Sequence, residues 1–231
     1  MDTMHTDLKW SLDPSDTDVC TATGSLGDAY QYDLLQFHLH SPSEHQIKGK
    51  SFDAEVHFVH QSKDKTKLMV IGVLVTASGD VGNDFIQELL DGLSSADDDT
   101  THGPVTLTKK YEDFIDEATK WFNYQGSLTT PPCSEIVDWW LSADAIKIST
   151  AQLVTIRSHQ AKFPRTLDSE NNRPTQAVNG REIKPLSNEW AYHANNGHLE
   201  PIFWKSMYPS CGMNSQSPIN IPYDGSVTDL V

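Results

Sequence analysis

A chain of 231 residues with 17 Lys plus Arg against 32 Asp plus Glu carries a formal net charge of −15. That sign excludes nucleic acid or an anionic membrane surface as a partner held by charge, whereas 37% hydrophobic residues with 6 Trp, 8 Phe and 7 Tyr fit one folded domain. No apolar run is long enough for a membrane span, and the opening MDTMHTDLKW has neither the basic start nor the apolar stretch of a signal peptide.

Residues 1–12 read as a short strand and 13–27 as a polar loop. The next strand, over 30–40, ends in Gln36-Phe37-His38-Leu39-His40. Side chains two apart in a strand share a face, so Gln36, His38 and His40 belong together. His57, in a strand over 51–60, is placed to complete three imidazoles, a set that suits zinc and leaves a fourth position open. The H-x-H pattern alone also fits an ordinary half-exposed sheet. Gln36 and Glu55 each precede a candidate ligand by two residues on the same face, where each can accept the ring N–H and fix the tautomer.

Residues 41–45 form a turn around Pro42. The run Leu68 to Val75, in a strand over 67–76, is continuously apolar, as a strand buried on both faces should be. Phe85, Leu89, Leu90 and Leu93 carry helical spacing over 84–93, and 94–104 is a polar loop. A helical turn is expected within 110–121, a strand over 122–128 entering Thr129-Thr130-Pro131-Pro132, and another over 136–141. A helix over 149–160 has Ser149 or Thr150 as its cap. Coil over 163–175 leads to a strand at 181–183 and a linker at 184–188. The acidic composition suits a surface that stays soluble in high salt, and salt tolerance is the sharper expectation from it.

QFHLHSPSEH (36–45), AEVHFVH (54–60), GSLTTPPCSE (126–135) and SQSPINI (215–221) closely resemble motifs of the α-class carbonic anhydrases, and the resemblance extends over nearly the whole chain. In that family SQSPINI precedes the histidine strands, whereas here it follows them. The order reads as circularly permuted within a single domain, 1–231: the family's C-terminal part at 1–183, a junction at 184–188 and its N-terminal part at 189–231. A natural or engineered permutant fits, as does a window cut across a tandem-repeat boundary. The second history allows an end-swapped dimer as well as a monomer.

The resemblance implies a mainly β (α+β) fold, with a large, mostly antiparallel twisted sheet and a few short peripheral helices. It implies Zn2+ on His38, His40 and His57, backed by Gln36, Glu55 and the main-chain carbonyl of Asn171. Thr129 would accept from a zinc-bound hydroxide and donate to Glu44, which as a carboxylate only accepts. Val59, Val70, Leu128, Val137 and Trp139 would line an apolar pocket for CO2, with Thr130 and Tyr192 as its polar wall. His5 corresponds to the proton shuttle, with Asp2 and Met4 standing where the family has Asn and Gly. Cys133 and Cys211 correspond to a disulfide, hence a secreted, extracellular or periplasmic-type oxidising compartment; Cys20 is left over. The implied activity is reversible hydration of carbon dioxide to bicarbonate and a proton, by zinc-hydroxide attack and proton relay. The rivals are a non-catalytic binding or matrix domain of the same family, whose members typically lack a ligand histidine, and ester hydrolysis at the same site. His45 and His60 read as structural histidines.

Overall fold

A computed structural model describes residues 8–11, 21–23, 31–94, 107–162, 166, 169–190 and 198–199. Its strands are β1 (Leu8–Ser11), β2 (Thr21–Thr23), β3 (Gln31–His40), β4 (Ala54–Ser62), β5 (Leu68–Ala77), β6 (Lys120–Gly126), β7 (Val137–Ser142), β8 (Ile146–Ile148), β9 (Lys184–Trp190) and β10 (His198–Leu199). They join one sheet in the order β1-β3-β4-β5-β7-β6-β9-β10, with β2 added to β3 and β8 to β5. Pairing is antiparallel except where β5 meets β7 and β8, and where β10 meets β9. The helices are α1 (Asp84–Ser94), α2 (Tyr111–Asp116) and α3 (Thr150–Gln160). Among the described residues none is long and apolar enough to cross a membrane.

The sheet's two faces differ because side chains alternate. Val56 and Phe58 of β4, with Val73 and Val75 of β5, point into the main core with Phe85, Ile86, Leu89, Phe114, Leu153 and Ile156 from the helices. Glu55, His57 and Val59 take the opposite face. β5 is apolar on both faces because both are buried, Val73 and Val75 in the main core and Leu68 and Val70 in a second apolar cluster on the opposite face.

One irregularity in β3 decides where the histidines go. The β3–β4 register shifts between Leu34 and Gln36, leaving Leu35 as an extra, 46% exposed residue. Leu34, Phe37 and Leu39 therefore all reach the main core, while Gln36, His38 and His40 face the other way. The apolar pair Leu34-Leu35 is thus split, one inside and one outside.

α3 starts with a capping box. The Gln152 N–H donates to Ser149 Oγ at 3.1 Å and the Ser149 N–H to Gln152 Oε1 at 3.1 Å. Gln152 also bonds both main-chain groups of Asn83, tying α3 to the start of α1.

Two boundaries differ from expectation. The strand expected at 181–183 begins at Lys184, because Asn179 and Gly180 take positive φ and the Arg181 N–H closes a turn onto the Val178 carbonyl. Residues 184–188, expected as a linker, are strand residues: Lys184 to Ser187 pair with Asn123 to Lys120. His5, Cys20, Tyr192, Cys211 and the SQSPINI stretch lie outside the described residues.

His60 supports the core rather than the site, as its sequence context suggested. Its Nδ1 faces the Phe58 carbonyl and its Nε2 the Tyr111 hydroxyl. Burial pushes the imidazole down to about 4. A group neutral in the fold but titrating near 6.5 when unfolded stabilises fully above that value, and this stability is lost as pH falls toward 4. The loss amounts to roughly 3 kcal/mol. His60→Leu is expected to flatten the acid arm of the stability curve between these values, as read from denaturant midpoints at a series of pH.

Candidate metal centre

β3 and β4 place His38 directly opposite His57 in an antiparallel pair, and His40 opposite Glu55. The three imidazoles pack with ring centroids 4.7 to 5.1 Å apart. One nitrogen from each lies within 4.8 Å of the other two.

The other nitrogens are held from behind. His38 Nδ1 donates to Gln36 Oε1 at 2.9 Å, His40 Nδ1 to the Asn171 carbonyl at 3.0 Å, and His57 Nε2 to Glu55 Oε1 at 2.7 Å. Each acceptor fixes its ring as the tautomer whose remaining nitrogen carries a lone pair. His38 Nε2 and His57 Nδ1 consequently face each other at 3.3 Å, acceptor against acceptor. Among the described residues His40 Nε2 is buried without a hydrogen-bond partner, 3.5 Å from a Glu44 Oε2 that is equally unpaired.

Burial opposes relief of the conflict by protonation at His38 and His40. Burial, with His40 and His57 alongside, holds His38 well below its ordinary value. Burial likewise keeps His40 low, against the pull of Glu44. A cation does relieve it. Two nitrogens each ~2.0–2.1 Å from a tetrahedral zinc lie about 3.3–3.4 Å apart, which is the His38–His57 separation. The donor set therefore fits zinc.

Glu55 anchors the cluster. It is fully buried, and Oε1 accepts from both His57 Nε2 and His45 Nδ1, the latter at 2.6 Å, while Oε2 accepts the His45 N–H at 2.8 Å. Burial alone would raise its carboxyl, but the charges and hydrogen bonds of His45 and His57 outweigh burial and hold it well below the usual range. His45 Nε2 meets the Tyr124 hydroxyl at 2.6 Å, and burial pushes that phenol above its ordinary value. Tyr124 was not among the residues singled out from sequence; no local pattern links it to His45.

Asn171 fastens a distant loop to the end of β3. Besides its carbonyl on His40, its Oδ1 accepts the Ser41 N–H at 2.9 Å and its Nδ2 donates to the Leu39 carbonyl at 3.0 Å. Two residues on, the Arg173 N–H donates to Glu44 Oε1 at 2.8 Å.

Val59, Val70, Val137 and Trp139 form a separate apolar cluster, with Leu128 against it. Trp139 stands edge-on to His57 at 4.9 Å, so this patch adjoins the imidazoles. Thr129 and Glu44 both line a cavity of about 580 Å³ beside it, but the expected Thr129–Glu44 hydrogen bond is not formed: Glu44 Oε1 is taken by Arg173 and Oε2 has no partner among the described residues. Thr130 is exposed, with its carbonyl accepting from the Cys133 N–H. Cys133 is a half-buried free thiol among the described residues.

The family description "eukaryotic-type carbonic anhydrase" matches residues 2–186. The chain belongs to the eukaryotic-type carbonic anhydrase family. It is 38% identical over 154 residues to a carbonic anhydrase of Neisseria gonorrhoeae, covering 66% of this chain and 55% of that protein. With a carbonic anhydrase of a Nostoc species it shares 36% identity over 153 residues, 66% of this chain and 53% of the other. The chain thus spans about half the length of these two relatives. The fold superposes on the α-carbonic anhydrase of Thermovibrio ammonificans, solved with the inhibitor sulfanilamide, with a TM-score of 0.60 and 28% identity over 73% of this chain and 75% of that one. The carbonic anhydrase likeness and the sheet with its few short helices agree with the reading from the motifs.

Proposed function

We propose that this chain catalyses the zinc-dependent interconversion of carbon dioxide and water with bicarbonate and a proton. The observation that carries the reading is the convergence of three imidazoles whose ring nitrogens not held from behind turn toward one another, one from each within 4.8 Å of the other two. His38, His40 and His57 would hold the ion through Nε2, Nε2 and Nδ1. Zinc, when bound, supplies the Lewis acidity that makes water nucleophilic at neutral pH.

The rest of the work falls to the chain. Gln36, Asn171 and Glu55 keep each ring in its ligand tautomer. Val59, Val70, Leu128, Val137 and Trp139 offer a water-poor wall suited to a small apolar substrate such as carbon dioxide. Glu44 keeps a buried carboxylate oxygen available for a donor, and Thr129, on the same cavity, is the hydroxyl we assign to it. Thr130, Tyr192 and His5 are assigned to the outward proton path.

We further propose that residues 189–231 take the place of the family's N-terminal segment, making the order circularly permuted. The family match ending at 186 supports this. The closed form is taken as a monomer with an acidic surface suited to salt; in an oxidising compartment Cys133, a free thiol among the described residues, would pair with Cys211.

The test is stopped-flow carbon dioxide hydration on the purified chain, with zinc content and gel filtration on the same sample. Stoichiometric zinc, turnover and a monomer are expected. Zinc without turnover would move the chain to the non-catalytic binding domains. A dimer as the only active species would show that the ends are exchanged between neighbours.

A further inference from the structure

β5 carries a glycine, Gly72, in the middle of the apolar run Leu68–Ala77. A glycine inside a buried strand forfeits side-chain packing and adds entropy to the unfolded chain. The backbone does not demand it, since Gly72 is absent from the positive-φ glycines. Its neighbours do. Gly72 lies opposite His57 in the β4–β5 register. A Cβ there would stand 2.9 Å from Glu55 Oε1, 3.2 Å from Leu141 Cδ1 and 3.6 Å from His57 Cδ2. The first distance is closer than a real Cβ tolerates, and the atom it meets is the oxygen that bonds both His45 and His57. With Oε2 held by the His45 main chain, the carboxylate has no retreat that keeps all three bonds.

We propose that Gly72 is a positioning residue for the metal centre. Its missing side chain is the space the Glu55 carboxylate occupies, and through Glu55 it sets the tautomer and aim of His57. The inference rests on the zinc reading above and deepens it; Gly72 touches no reacting atom.

The test follows first-order release of Zn2+ from the loaded full chain into excess chromogenic chelator. Five proteins are compared: the unaltered chain, Gly72→Ala, Glu55→Ala, the Gly72→Ala/Glu55→Ala double variant and Gly72→Ala/Leu141→Ala. Gly72→Ala is expected to release zinc about 10–100-fold faster, the range for losing a group that orients a ligand. Adding it to Glu55→Ala should change nothing further, because no carboxylate is left to displace. An unaltered rate in Gly72→Ala, or a full additional effect in the double variant, overturns the proposal. So does recovery of the normal rate in Gly72→Ala/Leu141→Ala, which would place the effect in the Leu141 contact. If Gly72→Ala does not accumulate as folded protein, a folded Gly72→Ala/Glu55→Ala chain supports the proposal and an unfolded one overturns it. A chain that takes up no zinc at all defeats the metal reading instead. The imidazole nitrogen-15 shifts of the apoprotein then decide: His57 held as the Nε2–H tautomer, and a mixture in Gly72→Ala, supports the role of Gly72, whereas an unchanged tautomer overturns it.

Discussion

His57→Ala is expected to abolish stoichiometric zinc binding and to cost at least about a thousandfold in carbon dioxide hydration, a fraction of the acceleration an enzyme of this kind supplies. His57 is the proposed ligand with least slack. Its ring is 1% exposed, its Nε2 is committed to Glu55, and its Nδ1 already stands at the spacing a tetrahedral ion requires. No neighbour replaces it, because His45 turns both nitrogens to Glu55 and Tyr124. Metal analysis and stopped-flow rates on one preparation check the result. His159→Ala is the control: His159 sits in the last turn of α3 with Nδ1 on the Thr155 carbonyl, and its loss should leave both zinc and rate unchanged. Zinc retained in His57→Ala would remove β4 from the ligand set.

Glu55→Gln is expected to speed zinc loss by about 10–100-fold and to destabilise the apoprotein by roughly 3–5 kcal/mol, the cost of breaking a buried charge pair from one side. The amide keeps the shape, but its Nε2 brings a donor to where His45 or the His45 main chain also donates. The effect should depend on pH in a defined way. Glu55 is held well below the usual carboxylate range, so its contribution is present above its unfolded value and is lost as pH falls through its folded one. Burial would lower His45, but Glu55 outweighs burial and raises it; that contribution is full below the unfolded value near 6.5 and is lost as pH rises through the raised one. The advantage of Glu55 over glutamine should therefore peak between these limits and shrink on either side. Chemical denaturation of both proteins across pH measures it; a difference that does not vary with pH would mean that the ion pair does not govern the stability.

Much of this was legible because two periodicities carry it. Alternation in β3 and β4 gives the three histidines and the groups two residues before them, and continuous apolarity gives the doubly covered β5. What was not legible depends on pairings between distant segments. The register shift at Leu35 has no mark in the apolar pair Leu34-Leu35, because either residue suits a core. Tyr124 reaches His45 across 79 residues, and Arg173 takes Glu44 Oε1 across 129. The late start of β9 follows from the Asn179-Gly180 turn, whose residue types announce a turn but not which side of it joins β6. Gly72 stands inside what reads as a continuous apolar run, and its meaning needs the β4–β5 register.

All three proposed ligands fall within residues 38–57, on two neighbouring antiparallel strands joined by residues 41–53. Asn171, Tyr124 and Gly72 arrive from elsewhere in the chain. Closing that loop costs little conformational entropy compared with bringing residue 171 onto β3. The hairpin can thus gather its imidazoles early, and capture of an ion at that stage would bias the later strands toward the correct register. If zinc binds at that stage, the ion would serve in assembly as a nucleus, and the remote groups afterwards as its lock.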